Sequence, residues 1–482
     1  MSLSELRIKN FNPWWIDPIN WKNQDPNLQA LMQHAIRLPS PWLKQIPPQP
    51  GIHILRGPRQ VGKTTDLKLL IQHYLDSGWP SRSPIYLACD LLGGRHFSEL
   101  YETVELAKQL SRYSGQQLLL LDEVTVIEGW DEAVKALWDY GLIRADLVVC
   151  TGSSTIDLRQ KAAERWPGRR GKGRDHLLLP QTFASFAQAM TPTVPPSPGL
   201  TVSQLLEPEG RDLLHDIRLH LPNLQEGFRL YLKFGGLPSA VAEAKSGLIE
   251  PSSETVQIFS DSLIKEIQRK GVSETAMQAL LERIAHSLSS KISWTTIAQE
   301  LDIPLGNRSK PFPSHHTVRN YVEFLAAGYF ALILYFWRSG SGGNDLSRDK
   351  KIYFGDPLLL RVAAEYCPAL AVEEAALVEN ALALALFRRY EAERNQLTGF
   401  ANPTQLHVWG THSGSEVDFV AGPRNSLELI ECKYREKINK NTLMAMQRTL
   451  PNRPMIIATK NHFELGENWA LLPAPLLAWA LG

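Results

Sequence analysis

The sequence predicts an α/β protein, and two patterns carry the expectation. From Gly51 to about Pro180, the short apolar runs GIHILRG, PIYLACD, QLLLLDE and DLVVCTG alternate with helical patterns. Strands buried on both faces of a parallel sheet, each followed by a crossover helix, read this way. Near the carboxy terminus, SEVDFVAGPRNSLELIECKY, Ser415 to Tyr434, reads as a strand, a turn and a second strand. At 482 residues the chain exceeds a single core, and length alone suggests roughly three domains.

The first residues are rich in Trp and Pro (FNPWWIDPINW), which predicts an ordered arm, because disordered segments are poor in aromatics. The start MSLSELRIKN is too charged for a signal peptide. Hydrophobic residues make up 44% and the net charge is +1, so no global field points to nucleic acid and any basic surface is local. The four cysteines, Cys89, Cys150, Cys367 and Cys432, are scattered without CxxC pairs. That argues against a disulfide framework or a zinc site and fits a reducing cytoplasm. The longest uncharged apolar run, Phe324 to Trp337, is shorter than the ~20 residues of a spanning helix, and Gly328 interrupts it. It is expected to be a helix end turning into a strand, and no membrane partner is expected.

Gly57-Pro58-Arg59-Gln60-Val61-Gly62-Lys63-Thr64 satisfies GxxxxGK[ST], with the strand HILR entering and the helix KTTDLKLLIQHYL leaving. This context aims backbone N–H groups and a helix N-terminus at a phosphate. ATP with Mg²⁺ is therefore the expected cofactor pair. Gly57 through Thr65 form the cradle, Lys63 reaches the β- and γ-phosphates, and the Thr64 hydroxyl holds the metal. LLLLDE supplies a buried strand ending in Asp122, for the metal, and Glu123, for the attacking water. The next strand ends in Thr151-Gly152-Ser153-Ser154, where Thr151 can reach the γ-phosphate or the water. RQKAAERWPGRRGKGR carries seven basic residues and one acid. It reads as a solvated loop, as a contact to nucleic-acid phosphates, or as the source of an arginine acting on a neighbouring subunit's nucleotide, with Arg169 and Arg170 the candidates.

With these motifs in order, and with PGR before LLLPQTFASF, YLKFGGLPSA, KKIYFGD, ALVENALALAL, EVDF and IECKY after them, the chain resembles prokaryotic AAA+-type ATPases that carry a carboxy-terminal nuclease-like domain. The resemblance spans about residues 30 to 460 and implies a P-loop NTPase parallel sheet, then a helical and winged-helix-like segment, then a restriction-endonuclease-like α/β domain. The expected division is an amino-terminal arm over 1–30, a P-loop ATPase domain over 31–190, a linker and helical segment over 191–253, a winged-helix-like domain over 254–345 and a PD-(D/E)xK nuclease-like domain over 346–482.

In the middle, ISWTTIAQELDI and SHHTVRNYVEFLAAGYF look like the helices of a helix-turn-helix with LILYF as a wing strand. Thr317, Arg319 and Asn320 would then read DNA. The insert IPLGNRSKPFPS lengthens the connection beyond the usual turn, and a lid or interdomain role is the other reading.

On the terminal hairpin the two-residue strand period puts Glu431 and Lys433 on one face, Cys432 on the other, and Glu416 and Asp418 together on the partner strand. Convergence of Asp418, Glu431 and Lys433 is the PD-(D/E)xK arrangement, in which carboxylates hold Mg²⁺ and a lysine positions water. Glu379, inside the apolar helix ALVENALALALF, is a further acid for that metal, since an ionised carboxylate there needs a partner. The alternatives are that Glu379 lies near a solvated helix start and that Asp418 and Lys433 form a salt bridge without chemistry. Arg435, Lys437 and Lys440 would touch phosphates.

Two functions follow. One is an ATP-binding and ATP-hydrolysing protein whose terminal domain binds and cuts DNA. The other is a non-cutting ATP-dependent switch whose terminal domain binds protein or nucleic acid. DNA is thus one candidate partner; a second copy of the chain is another, because an arginine acting in trans requires a homo-oligomer.

Overall fold

The computed structural model describes residues 2–33, 46, 48–152, 158, 166, 168–269, 274–301, 314–338, 342–366, 370–391, 399–411, 416–436, 438, 443, 444, 447, 448 and 450–482. Ser153, Ser154, Cys367, Lys437, Lys440 and most of the insert after Asp302 lie outside these residues. The chain forms two compact units, Met1–Leu179 and Pro180–Gly482.

The first unit is built on five strands: β1 (Gly51–Arg56), β2 (Pro84–Ala88), β3 (Leu118–Asp122), β4 (Leu147–Thr151) and β5 (Asp175–Leu177). All pair in parallel, in the order β2-β3-β4-β1-β5. The apolar runs explain this directly: every residue of β1 to β4 is buried. The helices Lys63–Asp76, Phe97–Ser111 and Trp130–Asp139 are the crossovers. Because β4 lies between β1 and β3, Thr151 at its tip is inserted between the loop after β1 and the acid ending β3.

The amino-terminal arm is part of this unit. Its helix Leu3–Phe11 begins with a capping box between Ser2 and Glu5. Both Trp14 and Trp15 donate their indole N–H to the Pro84 carbonyl, at 3.0 and 2.8 Å. The Asn12 amide accepts from Tyr86 N at 2.7 Å and donates to Tyr86 O at 3.0 Å. A side chain thus satisfies backbone groups on the outer side of β2, which would otherwise be an open sheet edge.

The second unit holds a mixed eight-stranded sheet in the order β12-β13-β11-β10-β9-β8-β6-β7. Its strands are β6 (Ala331–Trp337), β7 (Asn344–Phe354), β8 (Leu406–Gly410), β9 (Glu416–Ala421), β10 (Glu428–Lys433), β11 (Met455–Thr459), β12 (Glu464–Leu465) and β13 (Trp469–Pro473). β10, β11 and β13 run parallel, whereas β9 pairs antiparallel with both β8 and β10. The helix Glu374–Tyr390 has a run of buried residues from Val378 to Phe387, as its nearly all-round apolar sequence requires.

The stretch Phe324 to Trp337 is a helix ending at Ala327 followed by β6. The wing expected of LILYF is not separate. Its strand pairs with β7 along its length and meets β8 at Phe336, so it belongs to the large sheet. The expected cut between 345 and 346 runs through β7. The reason is visible in the sequence: Lys350 to Phe354 is a buried strand end that follows a charged, exposed strand start.

Candidate functional site

The loop after β1 folds tightly. Gly62 has φ of 97° and caps the helix Lys63–Asp76, a backbone state that strains any residue with a Cβ. At Gly57 a Cβ would stand 2.1 Å from the Leu178 carbonyl oxygen, so the close approach of the residue after β5 demands glycine there. The Lys63 ammonium donates to the carbonyls of Gly57 and Pro58, at 3.0 and 2.9 Å, and so lies over the loop. Val61 and Pro58 are buried, Arg59 and Thr65 half-buried and Gln60 exposed.

Asp122 is the hub. It is 3% exposed and accepts from three hydroxyls. Thr64 donates at 2.7 Å, Tyr86 at 2.8 Å, and Thr151 donates to the other oxygen. The Thr151 oxygen in turn accepts the Glu123 N–H at 3.2 Å. Glu123 itself has φ of 52°, a left-handed state uncommon outside glycine and found at functional sites. The structure therefore brings together Thr64, Asp122, Glu123 and Thr151. Tyr86, on the strand read as PIYLACD, was not singled out from the sequence. Burial, then the Asp122 charge, pushes its phenol pKa far up, so it stays a donor.

These residues fit ATP with Mg²⁺. The Thr64 hydroxyl and the Asp122 carboxylate already face each other at hydrogen-bond distance, and both are oxygen donors of the kind that Mg²⁺ takes.

Arg169 is placed elsewhere. Gly171 bridges Gly51 at the entry end of β1, whereas the cradle follows its exit end. Arg169 pairs with Asp139 at 2.8 Å on the surface. Arg170 pairs with Asp175 at 2.7 Å and is one-quarter exposed. Of the helix-turn-helix residues, Asn320 is exposed and Arg319 is held by Glu323 at 2.7 Å.

In the second unit the structure brings the buried acids Glu379, Asp418 and Glu431 together with the half-buried Lys433, but with an occupant. The Lys351 ammonium, on a side chain 2% exposed, stands 2.8 Å from Asp418 Oδ1, 3.0 Å from Glu379 Oε1 and 3.1 Å from Glu416 Oε1. Tyr353 adds its hydroxyl to Glu379 Oε1 at 2.7 Å. Asp418 Oδ2 accepts the Cys432 N–H at 2.9 Å, Glu431 Oε2 accepts the Asp418 N–H at 3.1 Å, and Glu431 Oε1 pairs with Lys433. Burial, reinforced by the Asp418 charge, pushes the carboxyls of Glu379 and Glu431 up to about 7. The three carboxylates raise the Lys351 pKa despite its burial, so the lysine is charged.

The cluster does not fit the metal expected for Glu379, Asp418 and Glu431, because an ammonium already fills the space between the first two. Among the described residues no group of three or more His, Cys, Asp or Glu is placed to hold a metal ion. The sequence pointed to the carboxylates and missed Lys351 and Tyr353. The signal was KKIYF, two lysines leading into a buried strand.

The parallel sheet, the glycine loop and the acid at the end of β3 define the first unit as a P-loop ATPase fold. In agreement, the AAA domain family (AAA_14) matches residues 49–187. Two domains of unknown function, DUF8612 and DUF4143, match residues 225–367 and 374–477. An uncharacterized protein of Haemophilus influenzae (strain ATCC 51907 / DSM 11121 / KW20 / Rd) is 21% identical over 437 residues, covering 86% of this chain and 90% of that protein. Among solved structures, the Aeropyrum pernix ORC1 protein in complex with DNA is 15% identical and covers 71% of this chain and 94% of its own, with a TM-score of 0.29. The Aeropyrum pernix ORC2 protein (ADPNP–ADP complexes) is 12% identical and covers 66% and 88%, with a TM-score of 0.37. Among the described residues no helix is long and apolar enough to cross a membrane.

Proposed function

We propose that the chain is an ATP-driven switch: the first unit binds and hydrolyses ATP, and the second is a non-cutting module that engages a partner. The observation that supports it is the meeting of Thr64, Thr151 and Tyr86 on the Asp122 carboxylate beside the cradle.

The loop amides from Gly57 to Thr65 receive the phosphates, with the helix N-terminus favouring their charge. Lys63 exchanges its bonds to the Gly57 and Pro58 carbonyls for phosphate oxygens. Thr64 and Asp122 would hold Mg²⁺, which would supply neutralisation of the phosphate charge. Glu123 takes the proton of the attacking water, and Thr151, which donates to the Asp122 carboxylate and accepts the Glu123 backbone N–H, fixes their relative position. Arg169, on the surface, is the residue offered to a neighbouring copy. DNA remains one partner class for the second unit, and the Lys351-filled cluster favours binding over cleavage.

The test is a paired assay on the full chain. ATP turnover is measured for wild type and Lys63→Ala, and single- and double-stranded DNA are incubated with Mg²⁺ or Mn²⁺, with and without ATP. The reading expects turnover lost in Lys63→Ala and no cleavage under any condition. Turnover unchanged by Lys63→Ala sinks the first half. Cleavage that Asp418→Ala abolishes sinks the second and makes the chain an ATPase–nuclease.

A further inference from the structure

We infer that Lys351 is a built-in counter-ion standing where a divalent metal would stand among Glu379, Asp418 and Glu416. The chain as it exists then holds no divalent cation there, and the same carboxylates become a divalent-cation site once the ammonium is taken away. The inference deepens the non-cutting half of the reading above and is independent of ATP hydrolysis.

The first argument is saturation. An ammonium has three N–H donors. Lys351 Nζ has three carboxylate oxygens within 3.1 Å, one from each acid. With the side chain 2% exposed, water does not compete for these contacts. The second is charge. A divalent ion bound to the same oxygens would lie within about 4 Å of the ammonium, where two cations in a poorly screened interior repel strongly.

The third argument is that the neighbouring oxygens are engaged. Asp418 Oδ2 takes the Cys432 N–H, Glu431 Oε2 takes the Asp418 N–H, and Glu416 Oε2 pairs with Lys291 at 2.8 Å. The fourth is placement. Lys351 pairs in register with Leu334 of β6, and Tyr353 two residues on sits on the same face of β7. Both reach the same oxygen of Glu379, so the strand aims the lysine and the tyrosine together. Spaced around the ammonium, these acids are not placed to hold a metal ion, so binding requires Glu416, which is half-buried, to draw in toward Glu379 and Asp418 once the ammonium is deleted; anionic oxygens are the donor type that Mg²⁺ and Mn²⁺ take.

The experiment is Mn²⁺ calorimetry on the nucleotide-free full chain, with unfolding midpoints and ATP turnover measured on the same samples. Wild type and Lys351→Arg are expected to show no Asp418-dependent Mn²⁺ binding. Lys351→Ala is expected to bind one Mn²⁺, to gain roughly 5 °C of unfolding midpoint in saturating Mn²⁺, and to lose both effects when Asp418→Asn is added. Mn²⁺ binding by wild type that Asp418→Asn removes overturns the inference, and this arm is readable even if Lys351→Ala does not fold. A folded Lys351→Ala that binds no Mn²⁺ overturns it too. ATP turnover separates the two readings: its absence in wild type sinks the ATPase assignment and leaves the Mn²⁺ arms to decide this one.

Discussion

Lys351 Nζ lies 2.8 Å from Asp418 Oδ1, although β6 and β8 stand between their strands in the sheet order. The contact closes across a sheet in which β6 and β8, among the described residues, pair in register at Phe336 and Val408. Removing the lysine leaves buried carboxylates uncompensated, and removing Asp418 takes from the lysine one of its three acids. Lys351→Met and Asp418→Asn are each expected to lower the unfolding free energy by about 3–5 kcal/mol. The double variant is expected to fall short of their sum, by ~0.5–3 kcal/mol. Denaturant titration of the four proteins checks this, and additive losses would remove the ion pair from the account.

In the first unit, Glu123→Gln is expected to keep nucleotide binding and to lower turnover by about 10²–10⁴-fold, the range for loss of a general base. Lys63→Ala is expected to lose binding itself. Fluorescent-nucleotide titration beside a phosphate-release assay separates the two, and equal losses of affinity in both variants would contradict the roles assigned.

Tyr86→Phe deletes one of the three donors on Asp122 without changing the shape of the core. A hydrogen bond to a charged group is worth about 1.5–3 kcal/mol, so the nucleotide-free protein is expected to lose stability on that order. Calorimetric unfolding without ATP reads it. No change would mean that Thr64 and Thr151 suffice to hold the carboxylate.

The second unit carries a pH signature. Glu379 and Glu431 are raised from 4.5 to about 7 by burial, reinforced by the Asp418 charge. A raised folded-state pKa means that the native form holds the proton more tightly than the unfolded chain. Their contribution is complete below pH 4.5 and is lost as pH rises through 7. Glu431→Gln is therefore expected to flatten the decline in stability across that window relative to wild type. Parallel slopes in urea midpoints measured along the window would refute the assignment.

How much of this was legible in the sequence depends on how local each feature is. The cradle was readable because Gly57 to Thr64 is contiguous and its flanks are a strand and a helix. Asp122 and Glu123 were readable because four leucines precede them on one buried strand. The pair Asp418 and Glu431 followed from the two-residue strand period and a short turn. Tyr86 was not legible, because its role depends on β2 lying beside β3, a sheet order that no local pattern encodes. Lys351 was missed for the same reason: its carboxylate partners are 28, 65 and 67 positions away in sequence, on a helix and a strand not adjacent to its own. Even so, a lysine beside Ile352, Tyr353 and Phe354 in a strand is costly to bury alone, and that cost is a reason to look for its acids.

The eight-stranded sheet ends on one side at β12, which has two residues, and on the other at β7. β7 is the longer edge, and its outward half carries Ser347, Arg348 and Asp349 before the buried lysines. Where it turns inward, Ile292 exchanges both backbone hydrogen bonds with Lys350, at 2.9 and 3.1 Å. A second chain seeking to extend this sheet therefore meets charge along the first half and an occupied ladder position at the start of the second. The segment around Ile292 acts as a guard against edge-to-edge aggregation, and its loss would expose the apolar run Ile352 to Phe354 to the same fate.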